Sequence, residues 1–196
     1  MFHNISDAVL KRMRELEQKN TNDKRAGVPP FERLRQIPPI TGRFLALTAA
    51  AAPDGDYIEV GTSGGYSALW LSLACRALGR TLTTFELAEP KLELAAETFR
   101  VAGIDDIVTI VPGDARDNLA EHGNVSFCFL DTEKTLYEDC YELVVPNMVE
   151  GGVLIADNMV SHAGDLAGFL DRAESDLRVD SMVVPIGEGL LIARKS

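Results

Sequence analysis

The stretch YIEVGTSGGYS, residues 57–67, combines a short apolar run with a glycine-rich turn. The run 57–60 is typical of a buried strand, and residues 66–78 that follow the turn have helical spacing. Glycine allows such a turn to approach a ligand closely, and the N–H groups at the start of the helix can point at it. The stretch therefore predicts a nucleotide-type binding turn in an α/β sheet, although tight turns also need glycine for purely structural reasons.

Strand-like and helix-like stretches alternate on the C-terminal side of this turn. Further strands are predicted at 81–87, 107–111, 125–130 and 152–156, and further helices at 90–102, 136–145 and 166–173. This alternation is typical of a parallel α/β sheet. Two last strands, within 177–187 and 189–195, are joined by Gly187-Glu188-Gly189, which predicts an antiparallel hairpin.

The N-terminal quarter has a different pattern. Residues 4–19 carry apolar side chains at helical spacing, with Ser6 or Asn4 available as a cap, and residues 41–52 predict a second helix. Residues 20–39 contain Gly27 and four prolines, at 29, 30, 38 and 39, which favour a loop or short turns. We therefore expect one domain over 1–196, with an N-terminal helical segment (1–52) and an α/β core (53–196).

The composition excludes several classes of protein. With 46% hydrophobic and 25% charged residues the chain is typical of a globular domain, and its net charge of -11 disfavours binding to nucleic acid. The three cysteines are far apart, which argues against a disulfide framework or a zinc site. The sequence lacks a membrane-length apolar run and a signal-peptide core, so we expect a cytoplasmic protein without a membrane partner.

Two features narrow the ligand of the glycine turn. The turn lacks the Lys-Ser/Thr ending of a P-loop and the G-x-G-x-x-G pattern of dinucleotide sites. Glu59 places a carboxylate beside it, which would repel a pyrophosphate but suits S-adenosylmethionine, a ligand with an ammonium and a sulfonium. Glu86, at the end of the second predicted strand, either binds both ribose hydroxyls or caps the next helix. Asp114 is either a helix cap or a contact to adenine.

Oxygen-bearing side chains follow the fourth and fifth predicted strands, where open α/β sheets bind ligands. Asp131, Asp157 and Asn158 form a suitable partial shell for Mg²⁺, with Ca²⁺ or Mn²⁺ as alternatives, although each alone could equally cap a turn. Lys134 lies three residues beyond Asp131 and can lean over the same site. Partly desolvated beside a cation, it could act as a general base; the alternative is a surface lysine paired with Glu133 or Glu138.

Together these motifs resemble the cation-dependent O-methyltransferase family that includes catechol and caffeoyl-coenzyme A O-methyltransferases. The resemblance covers about residues 38–194, and its most specific part is D-x-x-K followed by D-N. It rests on Pro39-x-x-Gly42, Glu59 to Ser67, Glu86, Gly113-Asp114-Ala115, Asp131-x-x-Lys134-x-x-Tyr137, Gly151-Gly152 before Asp157-Asn158, and the closing P-I-G-E-G-L. It implies a Rossmann-like class I methyltransferase fold: a seven-stranded, mostly parallel sheet with an antiparallel last strand and helices on both faces.

The resemblance also implies roles for individual residues. Lys134 would be the catalytic base, and the metal would bind Asp131, Asp157 and Asn158. S-adenosylmethionine would contact Glu59, Gly61, Thr62, Ser63, Gly65, Ser67, Glu86, Asp114, Ala115 and Asp131. The implied reaction has two adjacent oxygens of a small dihydroxy aromatic on the metal, a proton taken by Lys134, and in-line attack on the methyl group. A homodimer is implied as well.

Departures from the family pattern bear on the acceptor. Thr132-Glu133 stands where relatives often have Ala-Asp, and the segment after Asn158 is short, which disfavours a bulky thioester as the acceptor.

One alternative function is that of a transfer RNA hydroxyuridine O-methyltransferase, since some bacterial proteins of this type look similar. A basic surface of Arg25, Arg33, Arg35 and Arg43 would favour it. The other alternative is a non-catalytic cofactor-binding protein, against which the complete set of metal and base candidates argues.

Overall fold

The computed structural model describes residues 1–29 and 32–196, and its centre is one sheet of seven strands in the order β3-β2-β1-β4-β5-β7-β6. The strands are β1 (Asp56–Val60), β2 (Leu82–Glu86), β3 (Val108–Pro112), β4 (Val125–Leu130), β5 (Met148–Ala156), β6 (Val179–Val184) and β7 (Leu190–Lys195). Strands β1 to β5 pair in parallel, whereas β7 pairs antiparallel with both β5 and β6. The predicted sheet and its terminal hairpin are confirmed.

Six α-helices accompany the sheet within the described residues. They are α1 (Asp7–Arg25), α2 (Pro39–Ala51), α3 (Tyr66–Leu78), α4 (Glu89–Ala102), α5 (Tyr137–Val144) and α6 (Ala167–Glu174). No helix among the described residues combines the length and the apolar character that crossing a bilayer requires.

The central strands are buried on both faces. All residues of β4 are buried, and in β1 only Asp56 is exposed. Because side chains alternate along a strand, Tyr57 and Phe127 belong to a hydrophobic core with α1 to α4, whereas Ile58 and Cys128 belong to a second core with α5 and α6. Helices therefore cover both faces of the sheet, as predicted, and only the ends of its strands are left for a ligand.

Helix α1 is longer than the sequence indicates. It begins after Ser6, whose Oγ accepts a hydrogen bond from Val9 N, and continues to Arg25. The predicted loop over 20–39 is thus wrong for 20–25, because no glycine or proline interrupts this turn and i,i+4 contacts such as Lys19–Asp23 support it. Residues 30 and 31 of that predicted loop lie outside the described residues.

Helix α1 is fixed to the helices that flank the glycine turn. Arg12, on its buried face, donates from Nε and Nη2 to Thr98 Oγ1 of α4, and Thr98 donates to Gly64 O. Tyr66, the first residue of α3, donates its hydroxyl to Glu17 Oε1 at 2.6 Å. The N-terminal helix therefore braces the turn that follows β1.

Candidate functional site

A cavity of about 480 Å³ opens at the carboxyl ends of the parallel strands. The sheet order places β1 beside β4, and the chain leaves these neighbours toward opposite sides of the sheet, which is the position where α/β folds bind ligands. Of the predicted site residues, those on the cavity wall are Gly61, Thr62, Ser63, Ser67, Glu86, Asp114, Ala115, Asp131, Lys134 and Asn158. Glu59, Gly65 and Asp157 are not part of the wall.

The glycine turn is fixed by backbone contacts to the strand ends. The N–H groups of Gly61 and Thr62 both donate to Phe85 O, at 3.0 and 3.1 Å, and Asp131 N donates to Val60 O. Gly61 has φ +103°, and a side chain there would collide with the carbonyl oxygen of Asp131. The first glycine of the turn is therefore required for β1 and β4 to end side by side.

Gly65 acts through packing. It caps the start of α3 with φ +85°, and a Cβ at this position would meet the ring of Phe99 on α4. The structure does not bring Gly65 to the cavity wall; its place is the close packing of the turn against α4, and its contact with the cofactor stays a prediction.

Glu59 also lies away from the cavity. Its side chain is fully buried, and Oε2 accepts from Thr84 Oγ1, which is 2.6 Å from Thr62 Oγ1. Its other oxygen has no hydrogen-bond partner within the described part of the chain. Burial raises the pKa of Glu59 to about 7, against hydrogen bonds with Ser67 and Thr84 that lower it. Glu59 thus lies behind the cavity wall and is linked to the turn through Thr84 and Thr62, and its direct contact with the cofactor stays a prediction.

Glu86 and Asp114 both line the cavity, and both accept hydrogen bonds from backbone N–H groups. Glu86 lines the cavity while its carboxylate accepts from the backbone N–H of Ser63, Leu87 and Ala88, so it also fixes the entry to α4. Asp114 caps a single 3-10 turn, where a helix was predicted, by accepting from Arg116 N. The Arg116 guanidinium, hydrogen-bonded to Asp114, lowers the pKa of that carboxyl.

Asp131, Asp157 and Asn158 meet at the ends of β4 and β5. Asn158 Nδ2 donates to Asp131 Oδ1 at 2.8 Å, and Asp157 Oδ1 accepts from Asn158 N. Asp157 is 2% exposed, and Asn158 has a left-handed backbone with φ +72°. Burial, followed by repulsion from Asp131, raises the pKa of Asp157 to about 7; burial also raises the pKa of Asp131, against the attraction of Lys134. Two carboxylates thus share a poorly solvated corner of the site, at the ends of β4 and β5.

Lys134 reaches this corner from the first turn after β4. It starts a 3-10 turn, and its Nζ lies 3.8 Å from Asp131 Oδ1 while donating to Thr132 O and to the hydroxyl of Tyr137. Only 18% of its side chain is exposed. Burial lowers the pKa of Lys134, although Asp131 and Asp157 oppose the shift. The alternative of a surface lysine paired with Glu133 or Glu138 is not what the structure contains.

Further wall residues were not predicted as part of the site. Leu34, Arg35, Lys91 and Glu188 all line the cavity. Ser63 donates its hydroxyl to Leu34 O at 2.7 Å, so the segment before α2 lies against the glycine turn. No motif marks this segment, because its position follows from the docking of α1 and α2 and not from local spacing.

The sequence model of the O-methyltransferase family matches residues 6–196. A catechol O-methyltransferase of Mycobacterium tuberculosis is 31% identical over 128 residues, which are 64% of this chain and 58% of that protein. A caffeoyl-CoA O-methyltransferase of Stellaria longipes is 23% identical over 181 residues, 80% of this chain and 75% of that protein.

Solved structures agree with the fold. The O-methyltransferase from Bacillus cereus in complex with SAH aligns with a TM-score of 0.78 at 24% sequence identity, covering 95% of this chain and 91% of that one. At this identity the likeness concerns the fold alone. It confirms the class I methyltransferase architecture expected from the sequence.

Proposed function

Because this chain belongs to the O-methyltransferase family, as an S-adenosylmethionine-dependent enzyme of the catechol and caffeoyl-CoA type, we propose that it methylates a small vicinal dihydroxy aromatic with the help of a divalent metal. The observation that carries this proposal is the meeting of Asp131, Asn158 and Lys134 on the cavity wall, with Asp157 buried beside Asn158. A protein that only binds the cofactor has no need for one buried and one partly buried carboxylate beside a partly buried amine.

The donor set fits a hard cation. Among residues 1–29 and 32–196, no three His, Cys, Asp or Glu side chains are grouped to hold a metal by themselves, so the candidate shell has two carboxylates and one amide. These are the oxygen donors that Mg²⁺ prefers, and it commonly keeps further positions for water or substrate. Asn158 now donates its Nδ2–H to Asp131, and as a ligand it would present Oδ1 instead. Burial raises the pKa of both aspartates, and the charge of Asp131 further raises that of Asp157, so a cation here would balance charge that the surroundings do not.

Different residues of the chain would orient the cofactor and accept the proton. S-adenosylmethionine supplies the methyl group, and a divalent cation supplies acidification of the acceptor hydroxyl. Glu86 and the turn 61–63 would orient the cofactor, with Glu86 accepting from the ribose hydroxyls. Lys134 would accept the acceptor proton at Nζ. Burial favours this role because it lowers the pKa of Lys134 and so increases the fraction of neutral amine.

The first experiment is transfer of a labelled methyl group from S-adenosylmethionine to catechol, with Mg²⁺ and then with excess chelator. We expect methylation that chelator abolishes and added Mg²⁺ restores. The matched pair of variants is Asp157→Asn, which alters the candidate shell, and Asp106→Asn, which removes an exposed carboxylate remote from the cavity and should behave like the wild type.

Two outcomes would contradict the proposal. Methylation that survives complete removal of divalent ions would exclude the metal role. Binding of S-adenosylmethionine without methylation of any dihydroxy aromatic would favour RNA or a non-catalytic role. For RNA, the relevant arginines are separately engaged: Arg35 pairs with Glu133, Arg43 lies over the ring of Phe2, and Arg33 donates to Val28 O.

A further inference from the structure

An ion pair spans the mouth of the cavity. Arg35, from the segment before α2, places Nη2 2.5 Å from Oε1 of Glu133, which lies between Asp131 and Lys134 in the chain. Both side chains line the cavity, and they are 43% and 63% exposed. Arg35 therefore lies on the cavity wall beside the loop that carries the candidate base.

The backbone at Arg35 is strained. Its φ of +48° lies in the left-handed region, which residues other than glycine rarely adopt. Four such residues occur among the described residues, and three of them, Arg35, Ser63 and Asn158, line the cavity. Strain of this kind persists where the surrounding structure imposes it, commonly at functional sites. The Ser63–Leu34 hydrogen bond holds the backbone immediately before Arg35 in place.

The partner of Arg35 can be exchanged at low cost. An ion pair this exposed contributes little to stability, so the carboxylate of a ligand could replace that of Glu133. The guanidinium suits this exchange because its planar donors match a carboxylate. Lys91 lies on the same rim, and its charge also acts on Glu133. When Glu133 no longer pairs with Arg35, the guanidinium can bind the carboxylate of a ligand, with Lys91 on the same rim.

We propose that Arg35 determines acceptor specificity by pairing with an acidic substituent of the acceptor, such as the carboxylate of a dihydroxybenzoate, in exchange for Glu133. The inference rests on the proposed function and narrows its substrate class. A neutral catechol leaves the Arg35–Glu133 pair intact, and a catechol with a positively charged amine meets a like charge at the mouth.

The test is the ratio of kcat/KM for dihydroxybenzoate to kcat/KM for catechol. Arg35→Gln removes the cation and should lower the ratio about threefold, whereas Glu133→Gln removes the competing carboxylate and should raise it about threefold. Lys11→Gln, which removes a largely exposed cation of α1, should leave the ratio at the wild-type value. Calorimetric affinities for dihydroxybenzoate, measured with Mg²⁺ and S-adenosylhomocysteine present, should shift in the same directions.

Opposite shifts in the two variants are the result that a merely structural pair would not give. If both variants change the ratio in the same direction, or neither changes it, Arg35 does not select the acceptor and the inference fails. That failure differs from failure of the proposed function, in which the wild type would methylate neither acceptor.

Discussion

The two sides of the cavity are built in different ways. The glycine side, made of turn 61–65 with Glu86, is fixed by backbone hydrogen bonds and by close packing against neighbouring backbone and rings. The carboxylate side, made of Asp131, Lys134 and Asp157, gathers ionisable groups whose pKa values are all displaced by burial. The first side is complete without a ligand, whereas the second holds charges that a metal and an acceptor would balance. Substitutions on the glycine side should therefore lower stability and cofactor binding, whereas substitutions on the carboxylate side should lower catalysis.

The largest effect is expected on the glycine side. Gly61→Ala puts a methyl group against the Asp131 carbonyl at a φ that alanine rarely adopts. The Asp131 carbonyl belongs to the backbone and cannot move aside as a side chain could. We therefore expect a loss of more than about 3 kcal/mol in the free energy of unfolding and no measurable binding of S-adenosylmethionine. Thermal unfolding and calorimetry measure both quantities.

The matched control is Gly79→Ala at the end of α3. Gly79 also has a positive φ of +66°, but a Cβ there meets nothing within 4 Å. It should cost only the backbone strain, about 1 kcal/mol, and leave cofactor binding intact. Equal losses in the two variants would mean that the packing of the turn against Asp131 is unimportant.

On the carboxylate side, catalysis should be lost while the fold survives. Lys134→Met removes the candidate base and should lower kcat by about 100-fold to 10,000-fold, with a far smaller change in cofactor affinity. Lys134→Arg keeps the positive charge but cannot release a proton near neutral pH, so it should be almost as inactive. The measurement is single-turnover methyl transfer at saturating cofactor. High activity in Lys134→Arg would show that only the charge matters.

The stability of the metal-free protein should also depend on pH through the carboxylate side. The folded-state pKa of Asp157 is raised to about 7, above about 4 in the unfolded chain. Its contribution to stability is therefore full below pH about 4 and is lost as the pH rises through about 7. Mg²⁺ needs the ionised form, so it should raise the melting temperature more at pH 8 than at pH 5.

Asp157→Asn should remove this contribution. We expect the variant to lose less stability than the wild type between pH 5 and pH 8 without metal, and to respond weakly to Mg²⁺ at both. Glu59 adds a pH dependence of the same sign that both proteins share, so the difference between them reports Asp157 together with Asp131, whose charge acts on it. A Mg²⁺ response that is the same at pH 5 and pH 8 would contradict the assignment.

The same contrast explains what could be predicted from the sequence. Strand β4 and the acids at the strand ends were predictable because parallel strands are apolar and their carboxyl ends share one edge. Arg35 could not be predicted as a site residue, because its left-handed backbone and its contact with Glu133 depend on how the N-terminal helices pack. The orientation of the Glu59 side chain could be predicted from the sequence. Alternation along β1 places Glu59 on the same face as Tyr57, inside the core with α1 to α4.

The smallest effect is expected from Glu59→Gln, which asks whether that carboxylate belongs to the glycine side as support or as a ligand. The pKa of Glu59 is raised to about 7, so at pH 6 the acid is largely protonated, and glutamine resembles that form while keeping an oxygen that can accept from Thr84. Since the side chain does not line the cavity, we expect the Kd for S-adenosylmethionine to change less than about threefold at pH 6. Glu86→Gln, on the wall, should weaken binding about tenfold because it loses a charge-assisted acceptor. If Glu59→Gln weakened binding as much as Glu86→Gln, the Glu59 carboxylate would have to turn toward the cofactor when it binds, and its unpartnered oxygen would be the atom that makes the contact.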